Sequence, residues 1–210
     1  MTDLINILLP PTKIRLNVGL FFGSFNPPHI GHMAIANYMV EFAAINQLWF
    51  VVSPQNPLKE QGSLLKEYDR LELVRLAVEG DQRFRVSDVE FRLPKPSYTI
   101  NTLNYLKEKF PDHTFTLILG SDNLENFNQW KDYQIILDNY KIIVYPRPGF
   151  SGENVPRHKN IIFIEAPLMD ISSTFIRNSI KAGKDVRYFV TTPVWEYMDK
   201  MNYYRNMQKG

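Results

Sequence analysis

Apolar runs of strand length alternate along the chain with longer stretches of helical hydrophobic spacing. The first run, Lys13–Phe22, is nearly uninterrupted in its second half, which is typical of a strand covered on both faces. Further strands are predicted at Leu48–Val52, Phe84–Phe91 (with an irregularity at Ser87-Asp88), Thr114–Leu119, Lys141–Tyr145 and Ile161–Glu165. Helices are predicted at His29–Ala44, Lys66–Val78 and Ser97–Phe110, in short pieces between Asn123 and Leu137, and at Ser173–Lys181 and Pro193–Asn202. This alternation predicts an α/β fold with a doubly wound parallel sheet and C-terminal helices.

Domain organisation follows from the lack of an internal repeat, a low-complexity tract or a convincing linker in the sequence. We therefore expect residues 1–210 to form one domain, with a C-terminal helical part that begins at about residue 170. The segment most typical of a loop excursion is Pro146–Lys159, which is rich in proline, glycine and charge.

Composition narrows the class of protein. The chain has 210 residues, 44% hydrophobic and 22% charged, which excludes a disordered chain and allows a sizeable core. Its net charge of +2 argues against a general nucleic-acid binder, although it allows a local basic pocket. Cysteine is absent, which removes disulfides, thiolate nucleophiles and cysteine-based zinc sites. No apolar run approaches the roughly 18 residues that span a membrane, and Met1–Pro11 lacks the features of a secretory signal, so we expect a cytoplasmic protein.

The polar and glycine-containing segments follow the predicted strands directly. They are Gly23-Ser24-Phe25, Ser53–Lys59, Gly120-Ser121-Asp122, Arg147 and Ser172-Ser173. In a doubly wound sheet, ligands bind beyond the carboxyl ends of the strands, where the strand order reverses. Position alone therefore predicts that these segments share one site.

The segment Gly23–His32 (GSFNPPHIGH) has the character of a phosphate site. A glycine just past a strand lets backbone N–H groups come close to an anion. His29 and His32 are three residues apart, so they share a face in the first turn of the next helix, where the helix dipole is positive. Two imidazoles there could donate hydrogen bonds to phosphate oxygens.

The His-x-x-His spacing is also typical of two roles that involve no phosphate. Histidines at a helix start more often simply cap the helix or pack against it. A zinc site would need further protein ligands, and His113 and His158 lie in poorly placed contexts, so we do not expect zinc.

A second segment, Asp170–Arg177 (DISSTFIR), combines a helix cap with a cation. Ser172 or Ser173 can cap the helix, and either hydroxyl can also reach a phosphate. Arg177 follows about one turn later, and a guanidinium beside free N–H groups suits polyphosphate. Taken alone, the segment is more typical of a capped helix with a surface arginine.

Together and in this order, the two segments resemble the nucleotidyltransferase superfamily that has (H/T)-x-G-H after the first strand and I-S-S-T-x-(I/L)-R near the end. The chain is most similar to its bacterial nicotinate mononucleotide adenylyltransferases, from Leu20 to about Tyr188. Four further segments resemble that subfamily: Ser53–Lys59 (SPQNPLK), Pro96–Leu103 (PSYTINTL), Leu119–Asp122 (LGSD) with Trp130, and Arg147-Pro148-Gly149. Phe22, Asn26 and Lys95 depart from it, since the subfamily usually has glycine, aspartate and glycine at these positions.

The resemblance implies a Rossmann-like nucleotidyltransferase fold and a set of site residues. The residues implied to bind ATP are Gly23, Ser24, Phe25, His29, His32, Gly120, Asp122, Ser172, Ser173 and Arg177, of which His29, His32 and Arg177 are the catalytic candidates. The residues implied to bind the mononucleotide are Lys59, Ser97, Tyr98, Thr99, Asp122, Trp130 and Arg147. Lys59 and Arg147 could each be solvated surface charges, which is the usual role of basic loop residues, and they are site candidates only because both follow strands at the predicted ligand edge.

The implied reaction transfers AMP from ATP to nicotinate mononucleotide and releases pyrophosphate, with Mg²⁺ carried mainly by the ATP phosphates rather than by a protein metal site. Ser97 is predicted to cap its helix, so that the amides of Tyr98 and Thr99 face the carboxylate of nicotinate. Trp130 is expected to stack on the pyridinium ring. No nucleic-acid or membrane partner is expected, and the sequence leaves a homo-oligomer open.

Several rival functions use similar residues. A nicotinamide mononucleotide or phosphopantetheine adenylyltransferase would keep the phosphate residues and change the acceptor pocket. An aminoacyl-tRNA synthetase fragment shares an H-x-G-H element, but this chain lacks a basic RNA-binding extension. A non-catalytic nucleotide sensor is the rival from a different class.

Overall fold

The computed structural model describes residues 15–54, 64–150 and 157–205, and a parallel sheet with helices on both faces runs through them. The strands are β1 (Asn17–Gly23), β2 (Gln47–Val52), β3 (Phe84–Ser87), β4 (Thr114–Gly120), β5 (Lys141–Tyr145) and β6 (Ile161–Phe163). The helices are α1 (Ile30–Phe42), α2 (Glu67–Ala77), α3 (Thr99–Lys109), α4 (Ser121–Leu124), α5 (Tyr133–Asn139), α6 (Ser173–Lys181) and α7 (Thr192–Lys200). The predicted α/β fold with a doubly wound sheet is confirmed.

The sheet has six parallel strands in the order β3-β2-β1-β4-β5-β6. The chain moves outward from β1 to β3 and then returns to β4 on the other side of β1. The strand order therefore reverses between β1 and β4, and the carboxyl ends of these two strands form the edge at which ligands bind in such folds.

Successive side chains of β1 point to opposite faces of the sheet, and both faces are buried. Leu20 belongs to a core cluster that includes Leu103 of α3, whereas Phe21 belongs to a cluster that includes Met39 of α1. A third cluster joins Leu73 of α2 to residues of α6 and α7. The C-terminal helices are thus packed onto α2, close to the ligand edge. Among the described residues, no helix has the length and apolar character needed to span a bilayer.

Two predicted elements differ from the structure in a way that matters for the site. The run Phe84–Phe91 is a strand only to Ser87, and a 3-10 helix, Val89–Arg92, follows it. That turn lets the carboxylate of Glu90 point inward, where it accepts hydrogen bonds. The helix predicted from Ser97 begins at Thr99 instead.

Smaller differences concern element ends. The first strand begins at Asn17 rather than Lys13, and Lys13 and Ile14 lie outside the described residues. The last strand ends at Phe163 rather than Glu165. β6 is an edge strand that pairs only with β5, so nothing on its outer side extends the ladder within the described ranges.

Candidate active site

The two histidines of the Gly23–His32 segment occupy the start of α1. His29 is the N-cap residue, with extended backbone, and His32 lies in the first turn. The backbone N–H of His29 donates to Nδ1 of His32 at 3.1 Å, and the two ring centroids are 3.7 Å apart. Because Nδ1 of His32 accepts a hydrogen bond, the neutral ring carries its own proton on Nε2. His32 can therefore donate from Nε2 to a phosphate oxygen.

His29 is held neutral by its surroundings. Its side chain is 5% exposed, and burial lowers its pKa to about 4, with a further lowering from the charge of Arg147. A Cβ atom on Gly31 would lie 3.0 Å from Nδ1 of His29, so a larger residue there would be in tight contact with the ring and would displace it slightly. At neutral pH, His29 acts as a neutral hydrogen-bonding group rather than a cation.

The turn between β1 and α1 is shaped by Phe25. This residue has a left-handed backbone (φ 45°), and its buried ring lies 5.1 Å from His32 and 5.5 Å from Phe50. The ring also lies against Gly23, where a Cβ atom would be 2.8 Å away. Since the ring of Phe25 belongs to the core, only its backbone could contact ATP as the sequence predicts.

The late segment Asp170–Arg177 reaches the same turn from the C-terminal side. Ser172 caps α6, as predicted, by accepting from the N–H of Phe175 at 3.1 Å. The hydroxyl of Ser173 donates to the carbonyl of Pro27 at 2.8 Å, and Nη1 of Arg177 donates to the carbonyl of Asn26 at 2.8 Å. The guanidinium is therefore hydrogen-bonded three residues before His29, so the early and late segments converge in space.

Gly120, Asp122 and Arg147 form a third part of the ligand edge. Nε of Arg147 lies 3.9 Å from the carboxylate of Asp122, and the N–H of Arg147 donates to the hydroxyl of Ser121 at 2.9 Å. A Cβ atom on Gly120 would lie 2.3 Å from Oδ1 of Asp122 and 2.9 Å from Cγ of Arg147. Glycine at this strand end is therefore required for both side chains to lie where they do. Arg147 also lies close enough to His29 to affect its pKa.

The start of α3 corrects one prediction. Tyr98, not Ser97, is the N-cap residue, and no side chain caps this helix. The hydroxyl of Ser97 instead points to the carboxylate of Glu90 at 3.4 Å, which also accepts from Thr102 at 3.0 Å. A buried carboxylate competes more strongly for the hydroxyl than the helix amides do. Thr99 is the first residue of α3, so its backbone N–H lies at the start of the helix.

Tyr98 lies beside the segment that contains Trp130, because Lys131 contacts its ring. The ring of Tyr98 is 36% exposed, and Nζ of Lys131 lies 4.8 Å from its centroid. Trp130, the preceding residue, is partly buried with its ring 5.3 Å from that of Phe127. The exposed part of the Tyr98 ring offers one face against which a flat heterocycle could stack.

Two buried charged residues were missed by the sequence reasoning. Arg70 is fully buried and donates to four carbonyls, those of Leu65, Ser24, Ser53 and Pro54. It thereby joins the turn after β1 to the turn after β2. The sequence held a signal for it, because Arg70 shares the inward stripe of α2 with Leu73 and Val74.

Glu90 is the second missed residue. It is 3% exposed, and burial raises the pKa of its carboxyl against hydrogen bonds from Ser53, Thr102 and Ser97. Its carboxylate links the end of β2 to the start of α3. The irregularity at Ser87-Asp88 was the only sequence signal of this turn.

Two further expectations concern Lys59 and a protein metal site. Lys59, expected to bind the mononucleotide, lies outside the described residues. Among the residues that the structure describes, no three His, Cys, Asp or Glu side chains cluster as a metal site.

Comparisons with known proteins show the family to which the chain belongs. The cytidylyltransferase-like family model matches residues 20–179. The probable nicotinate-nucleotide adenylyltransferase of Flavobacterium johnsoniae is 50% identical over 192 residues, which cover 90% of this chain and 100% of its own. The protein of the same name from Bacteroides fragilis is 50% identical over 182 residues, 87% of this chain and 90% of its own.

A solved structure shares the fold. The nicotinic acid mononucleotide adenylyltransferase of Plasmodium falciparum, complexed with NaAD, has a TM-score of 0.74 at 20% identity, over 90% of this chain and 97% of that chain.

Proposed function

We infer the function of this chain from its family, because it belongs to the nicotinate-nucleotide adenylyltransferases within the cytidylyltransferase-like family. It transfers the AMP part of ATP to nicotinate mononucleotide, giving nicotinate adenine dinucleotide and pyrophosphate in NAD biosynthesis. The observation that supports this activity best is the convergence of His29, His32 and Arg177 on one turn at the ligand edge.

The reaction needs no covalent intermediate with the protein. A phosphate oxygen of the mononucleotide attacks the α-phosphorus of ATP, and the bond from that phosphorus to the oxygen bridging to the β-phosphate breaks. The electron pair leaves with pyrophosphate. The protein must therefore hold two anions in line and stabilise the negative charge that moves to the leaving group.

His32 is the residue best placed to stabilise that charge. Its Nδ1 is occupied by the N–H of His29, so Nε2–H is the donor for a phosphate oxygen. Arg177 supplies the permanent positive charge, and its bond to the Asn26 carbonyl aims the guanidinium at the same turn. His29 and Ser172 at the two helix starts complete the ATP-phosphate site.

The mononucleotide end is assigned to Tyr98, Thr99 and Trp130. The start of α3 offers backbone N–H groups and a positive helix end to the nicotinate carboxylate. Trp130 supplies a face for the electron-poor ring. Asp122 and Arg147 pair with each other, and Arg147 lies near His29, so a ribose hydroxyl and a phosphate are the groups that match them.

Mg²⁺ is expected with the nucleotide. Its preferred ligands are oxygens, several of which ATP itself supplies. The donor set of the described residues fits this arrangement, because Asp122 is a single carboxylate beside a guanidinium rather than part of an acidic cluster. His29, His32 and Arg177 would hold the Mg²⁺-carrying nucleotide through its phosphates, and the metal would neutralise charge on them.

An acceptor panel tests the proposal. The protein is incubated with ATP, Mg²⁺ and one of three acceptors: nicotinate mononucleotide, nicotinamide mononucleotide or phosphopantetheine. We expect the product mass of nicotinate adenine dinucleotide and a higher kcat/KM for the acid than for the amide, because backbone donors that the bound ligand covers and leaves unpaired penalise the wrong ligand.

Three outcomes of the panel would contradict the proposal. A higher kcat/KM for the amide would make the chain a nicotinamide mononucleotide adenylyltransferase. Product with phosphopantetheine alone would make it a phosphopantetheine adenylyltransferase. No product with any acceptor, together with no exchange of labelled pyrophosphate into ATP in the presence of the dinucleotide, would favour a sensor.

A further inference from the structure

The C-terminal end of the described chain returns to the turn that precedes His29. Tyr204 follows α7, and its hydroxyl donates to Oδ1 of Asn26 at 2.7 Å across a sequence separation of 178 residues. Tyr204 adopts a left-handed backbone (φ 64°), which L-residues with large side chains rarely do. A strained backbone that is kept in a folded chain points to a constraint at that position.

Asn26 connects Tyr204 to the catalytic arginine. Its side-chain oxygen accepts from Tyr204 and from the N–H of Leu65 at 3.3 Å, whereas its backbone carbonyl accepts from Arg177 at 2.8 Å. Asn26 is 4% exposed, so water cannot easily replace either bond. The side chain and the carbonyl belong to the same residue, so bonds that hold the side chain also limit the movement of the backbone that carries the carbonyl.

The phenol also lies near two guanidiniums. Burial raises the pKa of Tyr204, against the opposing charges of Arg177 and Arg70, so the phenol stays protonated and donates. Arg70 holds the carbonyl of Ser24 at 2.7 Å. The turn from Ser24 to Asn26 is therefore held by Arg70, Arg177 and Tyr204 together.

We propose that Tyr204 is a positioning residue of the ATP-phosphate site, which fixes the side chain of Asn26 and thereby the place of Arg177 and the start of α1. This inference rests on the proposed function, because its kinetic readout is the transfer of AMP. The mononucleotide pocket at Tyr98 and Trp130 has no part in the bonds described here for Tyr204 and Asn26.

Tyr204→Phe tests the proposal, since it removes the hydroxyl and keeps the ring. Tyr188→Phe is the matched control, because Tyr188 precedes α7 and is 86% exposed. We expect kcat/KM for ATP to fall on the order of tenfold in Tyr204→Phe, because a buried acceptor loses the nearer of its two donors. The KM for nicotinate mononucleotide should stay within about twofold of wild type, as should all constants of Tyr188→Phe.

A second variant identifies the bond. Asn26→Ala removes the acceptor from the other side, together with the acceptor of the Leu65 N–H, so kcat/KM for ATP should fall at least as far. The double variant should lose no more than Asn26→Ala alone, because the two changes share the bond between Tyr204 and Asn26. Fully additive defects, or unchanged kcat/KM for ATP in Tyr204→Phe, would overturn the proposal.

Structural and functional failure can be told apart. A lower Tm with wild-type kinetic constants would make Tyr204 merely stabilising and would end the inference. If the wild-type protein forms no dinucleotide, the proposed function fails. Amide hydrogen exchange of residues 24–29 then tests the positioning role of Tyr204 without any activity measurement. Faster exchange in Tyr204→Phe than in Tyr188→Phe supports the positioning role, and equal exchange contradicts it.

Discussion

The backbone N–H of His29 donates to Nδ1 of His32 at 3.1 Å. In an ordinary capping box, a glutamate or glutamine at the third helical position receives that N–H. Here an imidazole takes its place, so the same side chain completes the helix start and presents Nε2–H to the ligand edge. The spacing of three residues is what allows one group to do both.

His32→Ala should lower kcat on the order of 10²–10³, because it removes a donor to the charge that develops in the transition state. The alanine variant also loses the acceptor for the N–H of His29. His32→Asn separates the two effects, since its Oδ1 can stand where Nδ1 stands and nothing replaces Nε2. Steady-state pyrophosphate release should show both variants impaired, with the Tm of His32→Asn near wild type. Near-normal turnover of His32→Asn would refute the role.

Local signals predicted much of this fold. Helix α6 has the predicted bounds, Ser173–Lys181, because a serine cap marks its start clearly. The buried strand Lys141–Tyr145 was also predicted as it is, since its apolar run is short and its limits are sharp. The order of strands and helices then fixed the ligand edge.

The features that the sequence did not predict depend on contacts between residues far apart in the chain. Ser97 has the sequence of a cap, yet the carboxylate of Glu90 takes its hydroxyl. Arg70 looks like a surface cation, yet its partners are carbonyls of turns up to 46 residues away. Tyr204 donates its hydrogen bond to Asn26 in a fold where α7 packs on α2. Such partners depend on tertiary packing, which a single sequence does not encode locally.

The stability of the protein should depend on pH through His29. Its pKa is about 4 in the folded chain and about 6.5 when unfolded. Between these values the unfolded chain binds a proton that the folded chain does not, so stability falls as the pH falls from about 6.5 towards 4, by about 3 kcal/mol in all. Above pH 6.5 the contribution is constant.

His29→Asn isolates this effect, because asparagine is a good N-cap residue and does not titrate. Urea unfolding of both proteins at pH 7 and at about pH 5 should show a smaller loss of stability in the variant. Parallel losses in the two proteins would mean that His29 is not kept neutral by the fold.

Trp130 should affect the acceptor and not ATP. Trp130→Leu removes the aromatic face, and the loss of a cation–π contact of about 0.5–2 kcal/mol would raise the KM for nicotinate mononucleotide by about 2- to 30-fold. Trp130→Phe keeps an aromatic ring, so its KM for nicotinate mononucleotide should lie between those of the wild type and Trp130→Leu. Initial rates with each substrate varied in turn measure both KM values. An equal rise in the KM for ATP would place Trp130 in the core alone.

Arg70 should stabilise the site through its hydrogen bonds rather than its bulk. Lysine at this position keeps the charge but cannot reach four carbonyls from one nitrogen, and methionine keeps the stem without donors. Because buried carbonyls left without partners are costly, Arg70→Lys and Arg70→Met should each lose about 2–4 kcal/mol of unfolding free energy.

Arg75→Lys is the matched control for Arg70, since the Arg75 side chain is 60% exposed on the same helix, and it should change stability by less than about 0.5 kcal/mol. The measurement is urea unfolding of the four proteins under one condition. The two turns that Arg70 joins carry ligand-edge residues, so both variants should also raise the KM for ATP. Arg70→Met keeps the aliphatic part of the side chain and removes the guanidinium. If this variant is as stable as wild type, the packing of the aliphatic part, and not the hydrogen bonds of the guanidinium, holds these turns.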